Sequence, residues 1–517
     1  MAVHNIGSCI LGVDYATPPI VLPSGSLPDA RNILPTAEGL PRGRRGSVKL
    51  NSTALASRIT SVHEFRSGTA SRNTLASYGT KIAYYDSGTG EFVDSITGLT
   101  TGKMLQWVNF AGKAICVNEG TDAPQYWTDS STHGALGGSP PVGRTIAEWS
   151  NRLWFGGDST NVATLTASAI NDPTDYTTSG AAGKFSGIVG NSKDPITGLF
   201  GYFDMLIVGK KNALYKVVAS TGYPTTNAEN LEILPVYTKD VDGTGFTSPW
   251  AITQVGNDVI YLDGYDIKRL SGIEKYGDVE TVNINSHFSE YLKSVVDKDY
   301  LQYTQFFHYK QARQLWISIP ASATTHYVFV LDYQFTHNTD RYAFFPMYGL
   351  EITSFTGIEN GTIMDIYAGF EDGWVRQLDI GNDDDGTAID RYFVTLTSGN
   401  NISSDQDYLV VGNHEIRKQF QAVETFITPD GTLSITPSYA LNLMDSAQVR
   451  TSGNYTALTT ETVSSWTGTG TKRKRIRFFG MSGKTLALKW RHNTLAQNFT
   501  FYPSEVHYVA KGRGEIC

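Results

Sequence analysis

The sequence repeats a two-strand pattern seven times, and this repetition restricts the chain to a small number of folds. Each copy has an apolar or aromatic strand, a tight polar turn and a second strand rich in Leu, Ile, Val and Tyr. One residue near each turn marks the copies: Asn73, Gly112, Asn151, Asp204, Asn257, Ala312 and Asp365. The successive intervals are 39, 39, 53, 53, 55 and 53 residues.

Units of about 40 to 55 residues are typical of the four-stranded blades of a β-propeller. An isolated hairpin is marginal in water, whereas blades stacked around an axis bury each other's faces. The predicted fold class is therefore all-β, with a β-propeller of six or seven blades at residues 56–386. An extended N-terminal arm is predicted at residues 1–55 and a C-terminal β-sandwich or barrel at residues 387–517. We expect the repeated hairpins to be inner or middle strands of consecutive blades.

Two further predictions concern secondary structure outside the repeat. The C-terminal domain is expected to contain strands at residues 389–396, 419–427, 432–439, 474–479, 485–490 and 499–509. One short helix is predicted at residues 286–296, because its apolar residues follow a helical spacing. Ser286 is expected to cap that helix, with Glu290 in its first turn.

The composition excludes several classes of protein. Hydrophobic residues make up 40% and charged residues 18%, which is typical of a globular chain. The net charge of −8 argues against general nucleic-acid binding. Cys9, Cys116 and Cys517 predict no disulfide framework or Cys-based zinc site, so assembly in a reducing cytoplasm fits. We expect no signal peptide at residues 1–15 and no membrane-spanning segment.

Motifs of nucleophilic, metallohydrolase and nucleotide-binding chemistry do not occur in the sequence. The ten histidines are scattered without a paired ligand spacing. The acidic run at residues 379–386 resembles a calcium loop, but Gly381 and Tyr392 occupy the places where an EF-hand has Asp and Glu. We interpret this run as a solvated turn between domains. The sequence therefore predicts no catalytic, cofactor-binding or metal-binding residues and a protein that is not an enzyme.

The densest positive charge is a candidate DNA-channel or interface strand. It comprises Lys472, Arg473, Lys474, Arg475 and Arg477. On a strand, the three arginines share one face. They could contact DNA phosphates or an acidic neighbour. Alternatively, they keep a solvated sheet edge soluble.

A second basic cluster lies in the N-terminal arm, where Arg42, Arg44 and Arg45 are spaced by glycines. We interpret these arginines as candidate contacts to another subunit or another blade. Simple exposure to solvent explains the cluster equally well.

Several motifs together resemble one family of virion proteins. They are ARNILPTAEGLPRGRRG at residues 30–46, WSNRLWFGGD followed by SAINDPTDYTTSG at residues 168–180, DPITGLFGYFDMLIVGKKNALYKV at residues 194–217, and QLDIGNDDDGTAID at residues 377–390. The chain is similar over residues 30–395 to the tail nozzle, or tail tubular protein B, of short-tailed bacteriophages. The C-terminal domain carries little of the resemblance.

The resemblance implies a structural protein without catalytic residues or cofactors, assembled in the host cytoplasm and located in the virion tail. It implies a homo-oligomeric ring, typically a hexamer, below the portal and adaptor and next to tail fibre or tip proteins. Such a nozzle extends the DNA channel, retains the genome, contacts it transiently and lets it pass on ejection. The net negative charge fits this function, since strong phosphate binding would retard DNA.

Two alternatives belong to other functional classes. One is a receptor- or polysaccharide-binding tail propeller, and the other is a sugar-binding or sugar-active propeller enzyme. Glycoside hydrolysis needs two carboxylates on opposite sides of a sugar bond, and they would come from different blades. A ring of six copies favours the nozzle, whereas a trimer or a deep pocket with paired carboxylates favours the sugar-related functions.

Overall fold

The repeat unit of the sequence is a blade of four antiparallel strands. The structure, a computed structural model, describes residues 2–68, 71–236, 243–272, 279–336, 341–396, 417–443, 445–467 and 470–510, so that Cys517 lies outside the described residues. Seven blades occur among these residues, with first strands that begin at residues 59, 106, 145, 196, 252, 305 and 352. The chain is an all-β protein built on a seven-bladed β-propeller.

The strands follow the chain in order. Those that precede the first complete blade are β1 (Ala2–Ile6), β2 (Gly12–Val13), β3 (Ser26–Leu27), β4 (Ala30–Arg31), β5 (Ile33–Pro35), β6 (Pro41–Gly43) and β7 (Ser47–Lys49). Blades 1 to 3 contain β8 (Ile59–Ser67), β9 (Ser71–Tyr78), β10 (Lys81–Asp86) and β11 (Glu91–Thr97); β12 (Gln106–Phe110), β13 (Lys113–Val117), β14 (Gln125–Trp127) and β15 (His133–Ala135); and β16 (Thr145–Trp149), β17 (Arg152–Gly156), β18 (Thr164–Ala167) and β19 (Phe185–Ile188).

Blades 4 to 7 continue the same arrangement. They contain β20 (Ile196–Tyr202), β21 (Met205–Lys210), β22 (Leu214–Ala219) and β23 (Leu231–Pro235); β24 (Ile252–Val255), β25 (Asp258–Asp263), β26 (Asp266–Gly272) and β27 (Val279–Asn283); β28 (Gln305–Tyr309), β29 (Gln314–Pro320), β30 (His326–Asp332) and β31 (Ala343–Met347); and β32 (Ile352–Asn360), β33 (Ile363–Phe370) and β34 (Val375–Leu378).

The prediction that the hairpins are inner or middle strands is confirmed. Five of the seven marker residues lie between the first and second strands of blades 2 to 6. In blade 3, Ser150 and Asn151 both have positive φ, at 52° and 57°, as a two-residue type I′ hairpin turn requires. Asn73 and Asp365 lie instead within the second strands of blades 1 and 7.

The ring is closed by the N-terminal segment. Each first strand contacts the first strand of the next blade, and β32 of blade 7 contacts β8 of blade 1. Blade 7 has three strands from its own stretch of chain and takes its outer strand from β7, which pairs with β34 through Val48 and Gln377. The start of the chain therefore completes the last blade, so the propeller cannot close before residues hundreds of positions apart have met.

The C-terminal region is a β-sandwich. Its strands are β35 (Arg391–Leu396), β36 (Lys418–Asp430), β37 (Leu433–Ile435), β38 (Ser438–Leu441), β39 (Thr456–Ala457), β40 (Val463–Trp466), β41 (Lys472–Arg477), β42 (Ser482–Gly483), β43 (Leu486–His492) and β44 (Asn498–Ala510). A five-stranded sheet, β39-β38-β43-β35-β4, packs on a seven-stranded sheet that contains β41, β36, β44, β6 and β5. Phe501 lies between them, with its ring 4.9 Å from that of Phe393 and 4.8 Å from that of Trp490.

The N-terminal segment packs into the core of its own chain. Strands β4, β5 and β6 add to the two sandwich sheets, and β1 pairs with the C-terminal strand β44. Val13, Leu27 and Ile33 are each no more than 1% exposed, in the same core cluster as the sandwich and blades 5 to 7. The segment predicted as an extended arm therefore buries its apolar side chains within its own chain.

One short helix joins blades 5 and 6. Helix α1 (Ser289–Val295) buries Leu292, at its centre, and its N-cap residue Phe288 against the core, as their spacing predicted. Ser286 does not cap the helix: the chain turns at Asn285, whose carbonyl accepts bonds from the backbone nitrogens of Phe288 and Ser289. A second short helix, α2 (Ser446–Arg450), lies in the sandwich. No helix among the described residues is long and apolar enough to cross a membrane.

Burial of the N-terminal segment gives a direct test of its role. Replacing Ile33, which is fully buried, with Ala should cost about 2–5 kcal/mol of folding free energy, because it leaves a cavity between the propeller and the sandwich. The matched variant Val21→Ala, at a side chain that is 44% exposed, should be close to neutral. Thermal melting of the two purified variants measures the difference. Equal melting temperatures would contradict the placement of this segment in the core.

Candidate functional site

The glycine- and arginine-rich stretch of the arm runs between blade 7 and the sandwich. Gly43 and Gly46 leave no space for a side chain: a Cβ atom on Gly43 would lie 2.1 Å from Asn498 Oδ1, and one on Gly46 would lie 1.7 Å from the carbonyl oxygen of Asp383. Gly43 and Gly46 are therefore required by close packing of neighbouring atoms and not by a turn.

Arg44 is buried at this junction, with 3% of the residue exposed. Its Nε donates to Asn32 Oδ1 at 2.9 Å, and its two terminal nitrogens pair with the Asp384 carboxylate at 2.9 and 2.5 Å. A two-pronged pair of this kind is among the stronger polar contacts in proteins. Arg44 is therefore a link between the arm and the end of blade 7 and does not present its charge to another subunit.

Arg391, at the start of β35, completes the junction from the sandwich side. The side chain is fully buried, and its guanidinium donates to the backbone carbonyls of Arg44, Asn382 and Gln497, at 2.7 Å for the last two. Burial, together with the nearby Arg44 charge, lowers the pKa of Arg391 to about 10. This side chain thus ties together three segments that are far apart in the sequence.

The acidic run at residues 379–386 is held by cations from the arm. Asp384 pairs with Arg44 and accepts from the hydroxyl of Ser47, while Asp385 pairs with Lys49 at 2.7 Å. The run joins blade 7 to the sandwich, as expected, but its interpretation as a fully solvated turn is wrong for Asp384, whose carboxylate is mostly covered. Electrostatic pairing with the arm replaces hydration there.

Arg42 and Arg45 differ from Arg44 because their side chains are exposed. Arg42 lies on β6 opposite Thr500 of β44, and Arg45 follows at the surface. Of the three arginines predicted as subunit contacts, these two are the ones accessible to a partner.

The basic strand β41 forms an edge of the seven-stranded sheet, next to β36. Its three arginines point outward on one face, while Ile476 is fully buried on the other. Arg473 bonds to Glu424 of β36, and Arg475 lies 3.6 Å from the same carboxylate. The side chains of Arg473 and Arg475 remain 61% and 51% exposed. Lys474 lies on the opposite face, 3.7 Å from Glu461.

A second buried arginine, Arg152, holds the polar loop at residues 168–183 in blade 3. The guanidinium of Arg152, on β17, donates to four backbone carbonyls of the loop at residues 168–183 and to that of Thr226. Within the loop, the carboxylates of Asp172 and Asp175 accept from backbone and hydroxyl donors two or three residues ahead. The polar motif that follows WSNRLWFGGD is therefore a rigid loop folded around one cation.

The axis of the propeller is bridged at one end. Trp250, just before β24 of blade 5, donates through Nε1 to the carbonyl of Leu105 at 3.1 Å. Gln106, at the start of blade 2, donates to the carbonyl of Pro249 at 3.4 Å. Blades 2 and 5 stand three places apart in a ring of seven, so these bonds cross the central space. The bridge crosses the path that a ligand would follow along the axis from that end.

A polar network is buried where the arm meets the sandwich. Asp29, 3% exposed, accepts bonds from the hydroxyls of Tyr15 at 3.3 Å and Tyr392 at 3.0 Å. The ammonium of Lys489 lies 3.7 Å from the centre of the Tyr392 ring. Burial raises the pKa of Asp29 to about 6, although the Tyr392 hydrogen bond and the Lys489 charge favour the carboxylate.

Sequence spacing did not reveal one cluster of possible metal ligands. Glu424, Glu505 and His507 bring a ligand atom each to within 4.8 Å of one another, on the adjacent strands β36 and β44. Residues with structural functions were missed as well, above all the buried Arg152 and Arg391 and the half-buried Trp250. The sequence offered one signal for the two buried arginines: each is the first residue of an otherwise apolar strand, RLWFG for Arg152 and RYFVTL for Arg391.

These features define a seven-bladed β-propeller joined rigidly to a β-sandwich. No family model matches the chain, and no curated protein matches it. Among solved structures it is similar to a catalytically inactive virginiamycin B lyase from Staphylococcus aureus with quinupristin (12% identity, TM-score 0.41, 65% of this chain and 99% of that one). It is also similar to the WD40 repeats of RRP9 (9%, 0.39, 65% and 99%) and to BamB from Moraxella catarrhalis (14%, 0.35, 67% and 96%).

The junction gives a prediction about Gly46. Gly46→Ala should destabilise the chain by about 2–4 kcal/mol, because the new methyl group collides with the backbone at Asp383 and forces Arg44 and Asp384 apart. Gly137→Ala is the matched control, since no atom lies within 4 Å of a Cβ there and its φ is not positive. Differential scanning calorimetry measures both. A normal melting temperature for Gly46→Ala would show that the junction is loosely packed.

The buried carboxyl gives a prediction about pH. The pKa of Asp29 is about 6 in the folded chain and 3.8 ordinarily, so the folded state keeps a proton that the unfolded state has lost between these values. The stabilisation is fully present below pH 3.8 and is lost progressively as the pH rises from 3.8 to 6. Asp29→Asn should therefore be more stable than the wild type at pH 7.5, by about 3 kcal/mol, and by only about half as much at pH 5.

Thermal melting of both proteins at the two pH values tests this, since the other titrating groups are common to both. Asp204→Asn, at an exposed turn residue, is the control and should shift equally at both pH values. A gain for Asp29→Asn that does not depend on pH would mean that the carboxyl titrates normally.

Proposed function

We propose that the chain is a structural subunit of a bacteriophage tail, of the nozzle type, and has no enzymatic activity. Copies of it form a ring below the portal and adaptor, beside tail fibre or tip proteins, and extend the DNA channel. The observation that carries this proposal is the buried junction of Arg44 and Arg391. The motif residues that resemble the nozzle family meet there, and they lock propeller and sandwich into one rigid block.

Rigidity is what such a ring requires. A nozzle must keep its bore while pressurised DNA is held above it, so hinge motion between lobes would be harmful. Charged contacts that are fully buried and geometrically exact favour one arrangement of their surroundings, since a displaced partner leaves an uncompensated charge. The Arg152 loop supplies the same property locally in blade 3.

In this proposal DNA passes between subunits and not through a propeller. The Trp250 bridge crosses the propeller axis, and the axis therefore belongs to the internal structure of each subunit. The bore is formed by the faces that copies turn toward the centre of the ring. The arginine face of β41 is the strongest candidate for that surface in the described part of the chain, because it combines three cations with a solvent-exposed sheet face.

The charge of this face suits transient rather than tight contact. Three arginines, with Glu424 and Glu505 on the same sheet face, leave a net charge of +1 per copy. Six copies, the number that the family resemblance implies, would present about eighteen guanidinium groups. DNA carries one charge per roughly 1.7 Å of axis, so such a ring would hold DNA by contacts that weaken as salt rises.

Electron microscopy of the purified chain, and of particles that contain it, tests the proposal. We expect closed rings of six copies with the sandwich at a fixed angle to the propeller. A trimer that binds or cleaves host polysaccharide would instead indicate a receptor-binding or sugar-active protein, the two alternatives left by the sequence. Monomers in solution and no density in the tail would contradict the nozzle function outright.

A triple variant tests the function of the arginine face. Particles that carry Arg473→Gln, Arg475→Gln and Arg477→Gln should have intact tails but lose their DNA earlier than wild-type particles at low salt, where the contacts are strongest. Retained genome, measured by nuclease sensitivity, gives the readout. The matched control replaces three exposed propeller cations with Gln: Lys184, Lys193 and Lys211.

The other outcomes of this experiment are also informative. Missing tails in the triple variant, but not in the control, would mean that the arginines bind an acidic neighbour during assembly. Normal tails with normal retention would leave the arginines as residues that keep an exposed sheet edge soluble.

A further inference from the structure

The cluster of Glu424, Glu505 and His507 lies on the outer face of the seven-stranded sheet. Glu424 and Glu505 stand directly opposite each other on the antiparallel strands β36 and β44. His507 follows Glu505 by two residues and so shares its face. One ligand atom from each of the three side chains lies within 4.8 Å of the other two.

Two carboxylates in this position repel each other, and the described residues balance only one of them. Like charges directly opposite across a strand pair are destabilising. Arg473 and Arg475 both approach Glu424. The ion pair described for Glu505 is a distant one, with His507 Nε2 at 3.9 Å.

The imidazole of His507 is an independent sign that a ligand is needed. Both of its ring nitrogens are buried and neither has a hydrogen-bond partner among the residues that the structure describes, although the side chain as a whole is 14% exposed. A buried nitrogen without a partner destabilises the folded state. A cation between the ring and the two carboxylates would supply that partner and remove the repulsion together.

We propose that Glu424, Glu505 and His507 bind one divalent transition-metal ion, with Zn²⁺ as the preferred ion. One imidazole nitrogen and two carboxylate oxygens form a donor set that suits zinc and its neighbours, whereas Mg²⁺ and Ca²⁺ prefer oxygen ligands alone. Water fills the remaining positions. Because the ligands come from two adjacent strands, the ion clamps β44 to β36.

The arginines beside Glu424 are compatible with this site. An ionised carboxylate has about four lone-pair positions on its two oxygens, so it can accept from Arg473 and still bind a metal. Ligating carboxylates are ordinarily held by such outer hydrogen bonds, which fix their orientation. Arg473 is therefore a positioning residue for Glu424 in this site.

Metal binding to the full, tag-free chain after treatment with a chelator tests the proposal. Titration calorimetry with ZnCl₂ should give one ion per chain, and Zn²⁺ should raise the melting temperature, while MgCl₂ should do neither. His507→Ala and Glu505→Gln should each weaken zinc binding about tenfold or more. His133→Ala, in blade 2, is the control and should bind like the wild type.

Two results would overturn the site. One is a wild-type chain that takes up no Zn²⁺ and shows no thermal shift. The other is zinc binding that persists unchanged in His507→Ala and Glu505→Gln. If His507→Ala does not fold, Glu505→Gln decides the question, since its side chain is 46% exposed and the change keeps its size. The result is independent of ring assembly.

Discussion

Two buried guanidinium groups, those of Arg44 and Arg391, hold the lobes of this molecule in one arrangement. Removing a charge from water costs several kcal/mol unless partners replace the hydration. Arg44 finds a carboxylate in Asp384, whereas Arg391 is satisfied by backbone carbonyls alone. Those carbonyls belong to the arm, to the linker after blade 7 and to the sandwich. The cost of removing Arg391 from water is offset only when all three segments are in place together. The contacts of this side chain therefore fix the position of the propeller relative to the sandwich.

The local part of the architecture could be read from the sequence, and the long-range part could not. Hairpins are local, so their alternating strands and turn residues predicted the blades correctly and limited the C-terminal domain to a sandwich or a barrel. The number of blades was left open, because the last blade takes its outer strand from β7 and the copies at Asn73 and Asp365 mark different strands. The sequence around β34 contains no pattern that predicts its pairing with the strand at residues 47–49.

The same dependence on long-range contacts explains which candidate sites could be predicted from the sequence. The spacing of Arg42, Arg44 and Arg45 predicted a basic surface, but whether an arginine is inside or outside depends on a partner such as Asp384, which is 340 residues away. Glu424 and His507 are likewise far apart in the sequence and meet through the register of β36 and β44. The arginine face of β41 was predictable, because alternation along one strand is a local property.

The N-terminal segment completes both lobes of its own chain, and this bears on how copies could assemble. Strand β7 closes the propeller, and β1 pairs with the C-terminal strand β44 in the sandwich. A segment that completes its own chain twice is a poor candidate for exchange between subunits, since withdrawing it would open both lobes. In the proposed ring, copies would then meet through surfaces that are already folded, such as the exposed faces that carry Arg42 and Arg45. They would dock as finished blocks, each with its two lobes joined at Arg44 and Arg391.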